Sequence, residues 1–128
     1  MIYLDTSVLL AQLLAEDRLP AAGLWEETLV SSRLLEYEVW VRLNALGFAG
    51  THGEDARALI GRVALLELAP QVLERALAPF PLAVRTLDAL HLASLEFLKE
   101  QGQRVTLATY DDRLGTAAEA LGFSVTAP

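Results

Sequence analysis

Apolar positions fall in short runs separated by polar turns, and the runs alternate between continuous and helical spacing along the whole chain. Ile2-Tyr3-Leu4 is ended by Asp5-Thr6-Ser7, after which Val8, Leu9, Leu10, Leu13 and Leu14 recur with helical period. The start therefore reads as strand, polar turn, helix. Pro20 opens a short helix through Trp25 and Glu27, and Leu29-Val30 forms a second strand with Ser31-Ser32 as a helix cap behind it. Leu34, Leu35, Val41, Leu43 and Leu46 predict a helix over 33–46. Gly47, Gly50 and Gly53 then read as its stop and a loop. Further on the pattern predicts a helix over 56–65, a strand over 66–68, and a helix over 71–77 stopped by Pro79 and Pro81. Thr86 is placed to cap a long helix over 87–100 that Gly102 ends. A strand over 105–109, a helix over 113–121 stopped by Gly122, and a last strand over 123–126 complete the chain.

Short apolar strands alternating with helices indicate a parallel sheet, because parallel pairing needs a crossover helix between strands. The expected class is α/β, a three-layer α/β/α arrangement with a central parallel sheet. No linker or repeat divides residues 1–128, which are read as a single domain. The hydrophobic fraction of 53% and mean hydropathy of +0.35 suit a sheet covered on both faces or a subunit interface. The absence of cysteine excludes disulfides, thiolate zinc sites and cysteine nucleophiles, and fits a reducing compartment. The apolar run over 8–14 is too short to span a bilayer, so a soluble, cytoplasmic protein is expected. A net charge of -7 with no basic face argues against nonspecific electrostatic binding of nucleic acid. A phosphate-bearing substrate would need a metal or a few placed arginines.

In open parallel sheets ligands bind beyond the carboxyl ends of the strands. Four acids fall there: Asp5 after the first strand, Glu38 near the start of the helix after the second, Asp88 in the first turn of its helix, and Asp111 after the 105–109 strand. Each also has a purely structural reading. Asp5 and Asp111 suit helix N-caps, Asp88 suits the positive end of a helix dipole, and Glu38 suits an i,i+4 pair with Arg42. Glu38 stands at the border of the apolar stripe, whereas Glu36 is better placed as a solvated partner of Arg33. Gathered in one pocket, carboxylates repel by on the order of 4 kcal/mol per close pair at an effective dielectric of about 20. A bound cation relieves this, and an all-carboxylate set favours Mg²⁺ or Mn²⁺ over zinc. One or two such ions activate water and neutralise phosphoryl charge, which is nuclease chemistry.

The segments Ile2-Tyr3-Leu4-Asp5-Thr6-Ser7-Val8-Leu9, Ser32-Arg33-Leu34-Leu35-Glu36-Tyr37-Glu38-Val39, Arg85-Thr86-Leu87-Asp88-Ala89-Leu90-His91-Leu92-Ala93 and Ala108-Thr109-Tyr110-Asp111 stand in the order of a PIN-domain protein. The chain resembles, over its whole length, a toxin ribonuclease of the VapC type from a type II toxin-antitoxin pair. The resemblance implies a Mg²⁺- or Mn²⁺-dependent endoribonuclease. Asp5 and Asp88 would be principal metal ligands and Glu38 and Asp111 supporting acids, with metal-activated water attacking the RNA phosphodiester. Thr6 and Thr109 match positions that supply a supporting hydroxyl or backbone contact, and Asp112 is the substitute for Asp111. His91, one turn beyond Asp88, is read as a packed histidine hydrogen-bonded near the site, in preference to a ligand or general base. His52 is read as a surface loop residue. A homodimer buried through helices of the first half, and an antitoxin whose extended segment crosses the acidic groove, are implied as partners. The alternatives are a PIN-domain nuclease outside a toxin-antitoxin pair, acting in RNA processing or on DNA, and a non-catalytic PIN-fold interaction module.

Overall fold

The computed structural model describes residues 1–128. Five strands, β1 (Ile2–Leu4), β2 (Leu29–Ser32), β3 (Val63–Leu66), β4 (Thr106–Ala108) and β5 (Ser124–Thr126), form one sheet in the order β3-β2-β1-β4-β5 with every pairing parallel. Six helices connect them: α1 (Thr6–Leu13), α2 (Leu34–Leu46), α3 (Ala49–Ile60), α4 (Pro70–Leu77), α5 (Thr86–Glu100) and α6 (Asp112–Ala120). The period of two along the strands divides the core. On β1, Leu4 points into a cluster with Val8, Leu9, Leu35, Val39 and Leu43, while Tyr3 points into the opposite cluster with Leu92, Leu95, Leu107 and Leu114. The same split separates Leu29 from Val30 and Ala108 from Leu107. The result is the expected three-layer α/β/α architecture, with α1 to α3 on one face and α5 and α6 on the other. No helix is long and apolar enough to cross a membrane.

The strand order reverses between β1 and β4. From β1 the chain moves outward through β2 to β3, then returns to place β4 on the other side of β1. This is the switch point of an open parallel sheet, where diverging loops leave a crevice beyond the carboxyl edges. Asp5 and Asp111 follow the two strands that flank it.

The structure corrects the pattern in several places. The glycine-rich segment expected as a loop is the first half of α3, so the helix begins at Ala49 and ends at Ile60, and β3 occupies Val63–Leu66 in place of 66–68. Gly53 has a packing reason to lie in that helix, since a Cβ there would stand 3.2 Å from the Trp40 ring. His52 accordingly sits on a helix, within reach of the Thr51 hydroxyl at 2.7 Å. The segment after Pro20 forms only a 3-10 turn over Ala22–Glu26. Val41 is exposed, and the buried face of α2 is Leu35, Val39 and Leu43. Thr86 is the first residue of α5 and its side chain does not cap it.

Candidate active site

The backbone carries the acids to one edge. β1 pairs with β4 so that the Asp5 amide donates to the Ala108 carbonyl at 3.0 Å, which places the two strand ends side by side. Asp5 stands at the N-cap position of α1 yet makes no side-chain cap bond. Its Oδ2 instead accepts from the Ser7 hydroxyl at 2.6 Å and the Thr109 hydroxyl at 2.7 Å, and the residue is only 6% exposed. Thr109 Oγ1 also accepts from the Asp111 amide at 2.9 Å, and Ser7 Oγ from the Tyr110 amide at 3.0 Å. Two hydroxyls thus tie the turn after β1 to the turn after β4.

Asp111 is different. Its Oδ1 caps α6, accepting from the amides of Arg113 at 2.9 Å and Leu114 at 3.2 Å, while Oδ2 accepts from Arg85 at 2.8 Å. Burial opposes its ionisation, but the cap amides and Arg85 outweigh this and hold its carboxyl below the usual range. Asp112 lies in the first turn of α6, exposed. Asp111 faces Arg85, and Asp112 lines the hollow that Arg85 and Asp88 also line. Asp88, in the first turn of α5, accepts from Arg85 Nε at 2.9 Å. Its pKa is raised: burial dominates, Arg85 opposes it, and the charges of Asp111 and Asp5 add to the rise.

Glu38 arrives from α2. Its Oε1 accepts from Thr6 Oγ1 at 3.1 Å and faces His91 Nε2 at 2.5 Å. That ring nitrogen carries the proton, because a carboxylate can only accept. The other, Nδ1, is 2.8 Å from the hydroxyl of buried Tyr3. Burial lowers the His91 pKa, and the Glu38 hydrogen bond and charge, aided by Asp5 and Asp88, more than reverse this to raise it. With both nitrogens engaged and 1% exposure, His91 is the packed, hydrogen-bonded histidine expected, with no free nitrogen for an ion. Glu36 pairs with Arg33 at 3.3 Å, and Glu38 makes no ion pair with Arg42.

The donor set fits a hard divalent cation. Asp5 Oδ1, Glu38 Oε2 and Asp88 Oδ1 take no hydrogen bond from the protein, and no buried side-chain polar atom lacks a partner, so these oxygens open to solvent. No three of the His, Asp and Glu side chains close around a common point as they stand. Arg85 supplies the positive charge at Asp88 and Asp111. Ser7, Tyr3 and Arg85 join the site through contacts that the sequence pattern does not mark. The i,i+3 spacing of Arg85 and Asp88 was a readable signal, whereas the contact of Arg85 with Asp111, 26 residues away, was not.

An open parallel sheet with hydroxyl-anchored acids at its switch point defines the class of the molecule, and the PIN domain family model matches residues 2–120. The chain belongs to the PIN domain family. Among curated relatives from Mycobacterium tuberculosis, Ribonuclease VapC46 is 37% identical, covering 99% of this chain and 97% of its own. Ribonuclease VapC35 is 34% identical and Ribonuclease VapC47 30%, each covering 100% of this chain and 97% of its own. No solved structure matches the chain.

Proposed function

We propose that this protein is an endoribonuclease of the VapC type, a single PIN domain over residues 1–128 acting as the cytoplasmic toxin of a type II toxin-antitoxin pair. What carries the reading is that Asp5, Glu38 and Asp88 each keep an oxygen open to solvent beside the sheet's switch point, near enough that the charge of Asp5 acts on Asp88 and those of Glu38, Asp5 and Asp88 act on His91. Near-complete coverage of VapC ribonucleases at 30–37% identity supports the substrate class. Asp5 and Asp88 are the principal ligands of Mg²⁺ or Mn²⁺, with Glu38 and Asp111 in support. When bound, such an ion supplies Lewis-acid stabilisation of phosphoryl charge and lowers the pKa of water.

The chain's own residues prepare that chemistry. Ser7 and Thr109 engage Asp5 Oδ2 and leave Oδ1 without a protein partner. Thr6 and His91 do the same for Glu38, fixing Oε1 and freeing Oε2. Such fixation matters because a carboxylate held in place before the reaction pays no reorganisation in the transition state. Exposed Tyr37 and Val41, one turn apart on α2, support a homodimer through helices of the first half. The acidic crevice suits a basic segment of an antitoxin. The test is incubation of the purified protein with structured and single-stranded RNAs in Mg²⁺, Mn²⁺ or EDTA. Internal cleavage that EDTA abolishes is expected; RNA left intact with either ion, or cut equally well in EDTA, overturns the reading.

A further inference from the structure

We propose that Arg85 is a resident cation of the acidic cluster: it neutralises Asp88 and Asp111 in the metal-free protein and competes with the divalent ion for them. The inference rests on the metal-dependent reading above. One guanidinium joins two acids from separate elements, its Nε 2.9 Å from Asp88 Oδ2 and its Nη2 2.8 Å from Asp111 Oδ2. Asp111 has no oxygen to spare, because Oδ1 is committed to capping α6. A cation engaging Asp111 Oδ2 would share that oxygen with Arg85, and two positive charges on one oxygen repel.

The position of Arg85 has no explanation in helix stability. It occupies the N-cap of α5, where the helix dipole disfavours a positive charge, and it makes no side-chain cap bond there. What compensates is the pair of carboxylates. Its side chain is 55% exposed, so it already meets solvent over more than half of its surface.

Competition differs from mere proximity of charge, and Arg113 separates the two. It lines the same hollow as Arg85 and Asp88 but forms no ion pair. Mn²⁺ affinity is read by electron paramagnetic resonance of the free ion, at constant ionic strength, for the parent, Arg85→Gln, Arg85→Lys and Arg113→Gln. Arg85→Gln is expected to bind Mn²⁺ about fivefold more tightly, the worth of an exposed ion pair. Arg85→Lys, which keeps the charge and loses the planar fork, is expected between it and the parent. Arg113→Gln is expected within about twofold of the parent. Unchanged or weaker binding by Arg85→Gln, or an equal gain in Arg113→Gln, overturns the proposal. If the parent cleaves RNA with Mn²⁺ while those affinities coincide, only the competition falls. If none of the four proteins binds Mn²⁺, the metal-dependent reading falls with it.

Discussion

Asp5 and Asp111 occupy the same local grammar, the residue between a parallel strand and the helix that follows it, and the fold uses them in opposite ways. Asp111 caps its helix with one oxygen and meets Arg85 with the other. Asp5 leaves the amides of α1 uncapped by its side chain, and two hydroxyls hold one of its oxygens while the second stays free. The difference comes from what surrounds each turn. Ser7 and Thr109 converge on Asp5 because β1 and β4 are neighbours, whereas Asp111 meets the first amides of α6 and an arginine from the loop before α5. An acid at a helix start is thus uninformative by itself; its hydrogen-bond partners reveal whether it is spent on the backbone or kept for a ligand.

The sharpest break of the comparison is Asp5→Asn. Cleavage is expected to be abolished, while melting in EDTA shows a protein no less stable than the parent, because a ligand is lost and repulsion relieved together. A large loss of stability would mean that Asp5, like Asp111 through its cap, contributes to the fold as well as to the site. Next comes Glu38→Gln, expected to slow cleavage at least about a hundredfold, on the scale of removing a charge-stabilising group. Glu36→Gln, on the solvated pair with Arg33, is expected to stay within about twofold under the same assay. A reversal between these two would reassign the catalytic face of α2.

Smaller effects fall on stability. Tyr3→Phe deletes the partner of a buried His91 nitrogen, and an unpaired buried polar group costs about 1–3 kcal/mol in denaturant unfolding. No loss would show that the histidine finds another partner. Asp111→Ala is expected to cost about 1 kcal/mol as a lost cap, and Asp111→Asn only a fraction of that, since asparagine caps equally well. Equal losses for the two would mean that the tie to Arg85, and not the cap, accounts for the stability Asp111 contributes.

Much of the fold was legible because alternation of strand and helix is a local property, written in spacing and stop residues. Gly47, Gly102 and Gly122 all adopt positive φ at helix ends, where the pattern predicted stops. The error over 49–60 has an equally local cause: three glycines within seven residues look like a loop, and only the Trp40 ring against Gly53 shows why one of them lies inside a helix. Spacing places Val41 on the buried stripe, yet α2 turns Leu35, Val39 and Leu43 inward and leaves Val41 outside. The helical period fixes which residues share a face, not which face the neighbouring layers cover.

The sequence by itself determined the α/β class, the order of the elements and the four acids at strand ends and helix starts, since each depends on residues only a few positions apart. Tertiary structure alone decided what each acid is free to do. The partners that orient them lie far along the chain: Thr109 on Asp5 at a separation of 104, His91 on Glu38 at 53, and Arg85 on Asp111 at 26. Hydrogen bonds and ion pairs act over a few ångströms whatever the distance in sequence, so the role of a carboxylate is settled only when strand pairing has brought its partners within reach.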